Sequence, residues 1–297
     1  MLASRQYVAP GITRPVIDTG AMRRLGGALV AVLLACTACT TSSDGDPVPA
    51  PTTTSPAEDP SMSFAGVGID WPEAAADLTA ADPPPAPAGF DDALLGRMAD
   101  TLTDWAQVST LDEAARVSAS PADDISAVLP DSVSAALRDQ TKDAVSPRLA
   151  VANVFADDVT VVGAPRVTTA WGLSTQVDDA GQQYVLLELQ TRAAYEVRVG
   201  DNSPIRVIGV LRVHGLTAYP DTTDDFGVSG GWQEFGAVDC ALALDDDLTP
   251  DTDVQASEDD LTTFVKVGDG DTLDMPSLDD EQQVDAQYLQ RCRDSRT

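Results

Sequence analysis

Up to about residue 150 the apolar residues of this chain fall three and four apart, and beyond it they alternate with polar ones. A period of 3.6 marks helices and a period of 2 marks strands, so the architecture changes near residue 150. The clearest strand signal is VLLELQTRAAYEVRV, residues 185–199. Val185, Leu187, Leu189, Thr191, Ala193, Tyr195, Val197 and Val199 share one phase, and Glu188, Gln190, Arg192, Glu196 and Arg198 share the other. Alternation of that length is roughly three times the commonest strand length, and it predicts a long, curved sheet with one face in water. RVTTAWGLSTQV precedes it and IRVIGVLRVHGL follows it, across the turn sequences DDAG and GDNSP. Short turns between alternating runs predict antiparallel hairpins. DDVTVVGAP before them and GAVDCALAL after them bring the expectation to about five strands.

Two to three short helices are expected ahead of the strands. Leu94, Leu95, Met98, Leu102, Trp105 and Ala106 make one helical stripe, with Asp91 in position to cap it. Ser120 and Pro121 open a second helix whose first turn carries Asp123 and Asp124. Val133 and Leu137 continue the pattern after Pro130. Helices first and a meander of long strands after them define an α+β fold, with the helices packed on one face of an antiparallel sheet. This order resembles the NTF2-like cone, in which N-terminal helices cover the concave side of a curved sheet. The expected organisation is residues 1–35 upstream and signal, 36–61 linker, 62–245 the α+β domain, and 246–297 an acidic extension ending in a helix.

The N-terminal third contains one continuous apolar run, LGGALVAVLLA, residues 25–35. It is far shorter than the roughly 20 residues that span a bilayer core. Met22, Arg23 and Arg24 precede it and small residues follow, the three-part layout of an export signal with Met22 as the expected start. Leu33, Leu34, Ala35 and Cys36 resemble the lipobox of bacterial lipoproteins, in which the cysteine is diacylated and becomes the new N-terminus. Cys39 is the alternative acceptor, although Cys36 stands where the lipobox has leucine. Residues 40–60, rich in Pro, Ser and Thr, cannot bury enough surface to order and suit a tether. Taken whole, the chain resembles actinobacterial lipoproteins that carry an NTF2-like domain behind such a linker. The resemblance implies a cell-envelope location, anchored to the outer face of the cytoplasmic membrane.

Charge narrows the partners. Asp and Glu number 48 against 18 Lys and Arg, a formal net charge of −30. Such a surface repels phosphate backbones, so no nucleic-acid partner is expected; the membrane is reached through the lipid and not through charge. Export also bears on the two cysteines beyond the linker, Cys240 and Cys292, which are expected to form a disulfide. Cys240 lies in an alternating strand pattern, and Cys292 follows Val284 and Tyr288 on one helical face opened by Ser277. Their bridge would close a loop of about 50 residues and contribute roughly 4 kcal/mol in the chain-entropy model.

Candidate chemistry is sparse. Gly227, Ser229 and Gly231 match G-x-S-x-G, yet a loop precedes Ser229 and the single histidine, His214, lies upstream of it; the reading is a glycine-rich loop. His214 shares a strand phase with Arg206, Ile208, Val210 and Arg212. On a pocket wall His214, Arg206 and Arg212 would contact an acidic or carbonyl ligand; otherwise His214 is a residue of a half-exposed sheet surface. The acidic stretch 239–281 reads as a solvated loop, and from Asp269 the EF-hand spacing fails at Leu273 and Asp274. No metal, cofactor or catalytic set is assigned. The expected function is a cell-envelope lipoprotein with a non-catalytic module that binds a small ligand or a protein. The alternatives are an extracytoplasmic enzyme using His214 with carboxylates, and a calcium-dependent adhesion module.

Overall fold

The computed structural model describes residues 5–8 (backbone only), 61–74, 77–141, 146–237 and 245–266. Cys36, Cys39, Cys240 and Cys292 lie outside these residues, as do the strand expected around Cys240 and the helix expected before Cys292. The described strands are β1 (Arg5–Val8), β2 (Val159–Val161), β3 (Arg166–Val177), β4 (Gln183–Val199), β5 (Arg206–Ala218) and β6 (Gly227–Phe235). All pairings are antiparallel, in the order β1-β6-β5-β4-β2, with β3 also on β4. One side of β4 is shared: β3 pairs along 183–194, and β2 pairs from Val197 to Val199. β1 lies upstream of Met22, the start expected from the sequence, and it pairs with residues 229–232 of the β6 edge.

The helices before the sheet are more numerous than expected: α1 (Asp92–Leu111), α2 (Glu113–Arg116), α3 (Pro121–Ser126), α4 (Asp131–Thr141) and α5 (Pro147–Val151). α1 is 20 residues long, and the Asp91 carboxylate accepts from the Leu94 N–H at 2.5 Å to cap it. Every residue of its predicted stripe is buried, packed with Val185, Leu187, Leu189, Ile208 and Val210 of the sheet. The phase of β4 that was expected to be apolar therefore faces the helices, as the alternation implies.

The opposite phase is a correction. Gln190 and Arg192 were expected on a wet face, but both are buried, as is Ala194 in the same phase. A second apolar cluster covers that side: Met62, Ile69 and Trp71 from the segment after the linker, Val207, Leu211 and Phe235 from the sheet, and Leu261 and Phe264 from a sixth helix, α6 (Val254–Val265). The Arg192 guanidinium lies 5.1 Å from the Trp71 ring centroid, so a long polar side chain is stacked under an aromatic cover. Trp71 and Phe235 both pack against Phe264, with centroids 5.1 Å and 4.7 Å away. Gly209 makes room for this, because a Cβ there would come within 2.5 Å of the Phe264 ring.

Two loop readings are corrected with it. Residues 254–265, part of the presumed solvated acidic loop, form α6; the Asp253 carboxylate caps it by accepting from the Gln255 and Ala256 N–H groups, both at 3.1 Å. Glu258 and Asp259 lie on its outer side, and Leu261 and Phe264 on the inner side anchor it. The G-x-S-x-G stretch is likewise no loop, since Gly227 to Gly231 begin strand β6. Glycine is needed there for close approach: a Cβ on Gly230 would lie 2.5 Å from the Val213 carbonyl oxygen of the neighbouring strand.

Candidate functional site

β5 presents Ile208, Val210, Arg212, His214 and Leu216 to the helices, in one phase. His214 and Arg212, both proposed from sequence as ligand contacts, are each 2% exposed. His214 Nε2 lies 3.0 Å from Ser109 Oγ of α1, and its ring sits 4.6 Å from Trp105 in an edge arrangement. Arg212 reaches the helical layer too. Its Nε donates to Asn153 Oδ1 at 2.6 Å, and Nη2 donates to the Leu149 carbonyl at 2.7 Å, near the C-terminal end of α5. Asn153 Nδ2 then donates to Tyr195 Oη at 2.8 Å, and the Tyr195 hydroxyl donates to the Thr110 carbonyl at 2.7 Å. The Asn153 N–H donates to the Ser109 carbonyl at 2.8 Å, which closes the circuit between α1, the segment after α5, β4 and β5.

This circuit is built for holding the helices on the sheet. Each buried polar group that finds a partner avoids a desolvation cost of about 1–3 kcal/mol, so removing one member strands others. The electrostatics agree. Burial holds the His214 imidazole well below the usual histidine range, the Arg212 charge adds to this, and the Leu189 backbone opposes both. Burial likewise pushes the Tyr195 hydroxyl up, against the Asn153 hydrogen bond and the charges of Arg116 and Arg212. A neutral histidine sealed between Trp105 and the sheet cannot reach a substrate. The void beside it, lined by Trp105, Arg212, His214 and Gly230 among others, is about 20 Å³, room for one water molecule.

Ser229 is separated from His214 by the sheet itself. The register pairs His214 with Gly230 and Gly215 with Ser229, and paired residues share a face. A Cβ on Gly215 would collide with Ser229 Oγ, which places that hydroxyl on the face away from the helices. The serine and the histidine therefore cannot form a nucleophile and base. Among the acids between them, Asp224 pairs with Arg97 on the surface at 3.8 Å. Arg206, the third proposed contact, is buried at the far end of β5 and is not brought together with the other two.

The acidic residues beyond β6 also serve the backbone. Asp246, in the left-handed region at φ 59°, accepts from the Arg148 and Leu149 N–H groups at 2.7 and 3.1 Å and so caps α5 from a distance in sequence. Asp260 Oδ2 accepts from the Gly236 N–H at 2.6 Å, which ties α6 to the end of β6. Asp247 has its carboxyl raised by burial first and by the neighbouring Asp245 second. Among the described residues no group of three or more His, Cys, Asp and Glu is arranged to hold a metal ion, and no helix is long and apolar enough to cross a membrane.

An open concavity lies elsewhere, where α1 turns into α2 beside the loop from β2 to β3. It is a cleft of about 490 Å³ lined by Leu111, Glu113, Arg116, Val161, Ala164 and Pro165, together with Ala74 and Gly163. The Asp112 carboxylate builds the corner by accepting from the Ala114 and Ala115 N–H groups at 2.7 and 2.9 Å. Arg116 is held from behind: Nη2 donates to the Leu111 carbonyl at 2.8 Å, and the guanidinium carbon lies 5.9 Å from the Tyr195 ring centroid. Its Nε has no hydrogen-bond partner among the described residues. No motif marks this site; it combines a four-residue helix with a loop from the strand half. No family model matches the chain, and no curated protein or solved structure matches it.

Proposed function

We propose that this protein is a lipid-anchored module on the outer face of the cytoplasmic membrane that binds a small ligand without transforming it. The anchor rests on Leu33, Leu34, Ala35 and Cys36 at the end of a short apolar run, followed by the Pro-, Ser- and Thr-rich tether. What supports binding over catalysis is one contrast: His214 is sealed in a network that holds the fold together, whereas the cleft at Arg116 is open and large enough for a small molecule. The NTF2-like reading is part of the same proposal, supported by the order of five helices followed by an antiparallel sheet.

Metabolic labelling with a fatty acid tests the anchor. Label is expected in the intact protein and in Cys39→Ala, with loss in Cys36→Ala and a precursor accumulating under globomycin. An unlabelled intact protein would overturn the lipoprotein reading, and label lost only in Cys39→Ala would move the anchor to Cys39.

A further inference from the structure

The lining of the open cleft contains an unusual pair. Glu113 and Arg116 stand three residues apart on one helical turn, a spacing at which opposite charges are neighbours and ordinarily attract. They make no salt bridge with each other, and Arg116 makes none with any described residue, in a chain where acids far outnumber bases. Both residues line the cleft instead. Leu111, Val161, Ala164 and Pro165 give the same cleft an apolar wall, and the Gly163 lip is open, with nothing near where a Cβ would stand.

We propose that this cleft binds a free α-amino acid with an apolar side chain, its carboxylate on Arg116 and its ammonium on Glu113. The proposal deepens the binding-module reading and rests on it. Charge selects the class. A bare anion would meet Glu113 and a protein of net charge −30, and a bare cation would meet the Arg116 guanidinium. A zwitterion answers both groups and carries no net charge to be repelled. Arg116 suits the carboxylate end, because the Leu111 carbonyl fixes one side of its planar fork and Nη1 has no hydrogen-bond partner among the described residues. The apolar wall then takes the side chain, and the cleft volume admits one such molecule with room to spare.

Isothermal titration of the detergent-solubilised mature lipoprotein tests this with three probes: L-leucine, isopentylamine and 4-methylpentanoate. Leucine is expected to bind and to raise Tm, and the amine and the acid, each missing one charge, to bind at least about tenfold more weakly. Glu113→Gln is the clean variant because Glu113 is exposed and its carboxylate makes no ion pair among the described residues. It is expected to weaken leucine about tenfold and to erase the preference over 4-methylpentanoate. Arg116→Lys keeps the charge while losing the fork and its bond to the Leu111 carbonyl, and is expected to weaken leucine while the free protein stays folded with a modestly lower Tm. The proposal is overturned if no apolar amino acid binds at millimolar concentration, or if the amine or the acid binds as well as leucine. Failure here with fatty-acid labelling intact removes the ligand and leaves the anchor; loss of labelling with leucine still bound does the reverse.

Discussion

The two faces of the sheet are covered by different physics. Toward α1–α5 the contact mixes a large apolar cluster with a closed polar circuit of His214, Ser109, Arg212, Asn153 and Tyr195. On the other side the cover is one helix and the segment from Met62 to Trp71, held by aromatic packing of Trp71, Phe235 and Phe264. The first cover resists by directional bonds whose loss strands buried partners, and the second by area and fit. Polar residues in the strands thus sit in two different situations: Arg212 is satisfied by carbonyls and an amide, and Arg192 lies beneath an aromatic ring. Neither is in water.

Breaking the aromatic cover gives the largest expected effect. Phe264→Ala removes a fully buried ring between Trp71 and Phe235 and is expected to cost about 3–5 kcal/mol, read as a lower urea midpoint at unchanged slope. A cost under about 0.5 kcal/mol would mean that this face is solvated after all. Next comes the polar circuit: Arg212→Met fills similar space but strands Asn153 Oδ1 and the Leu149 carbonyl, for roughly 2–4 kcal/mol in the same assay. Acid sharpens the contrast further. The folded protein holds His214 neutral, while the unfolded chain takes up a proton near pH 6.5, so its stabilisation is complete above about 6.5 and erodes below it. The slope contributed is up to about 1.4 kcal/mol per pH unit, and His214→Gln is expected to flatten it in urea melts between pH 7 and about 5. Smallest of all is Ser229→Ala, expected within about 0.5 kcal/mol of the parent because the hydroxyl makes no hydrogen bond among the described residues.

Much of the helix-facing side was legible from periodicity alone. The α1 stripe and the odd phase of β4 each bury one set of residues at one period, and both are buried as predicted, β4 from Val185 to Val197, with Val199 half-buried at the strand end. The other face was hidden for two reasons. Arg192 and Gln190 look like solvent residues in any strand pattern, and only a partner distant in sequence reveals that they are covered. The partner itself was masked by charge: in α6 the spacing of Val254, Leu261 and Phe264 and the cap at Asp253 are helical signals, overshadowed by neighbouring acids of which Glu258 and Asp259 face outward. Glycines misled at β6 for a related reason, since they mark close strand contact there and not a loop. The candidate cleft was not legible at all. Glu113 and Arg116 are ordinary surface residues until the loop after β2 is folded against them.

His214 decides between a sealed structural residue and a working base, and the chain has only one histidine, so its imidazole gives a single unambiguous resonance set in NMR. A pH titration of that signal in the folded protein is predicted to show a ring that stays neutral through the usual histidine range, with its midpoint displaced well below 6.5. A midpoint near 6.5, the value of a solvated histidine, would show that His214 meets water and would contradict the closed circuit on which the non-catalytic reading stands.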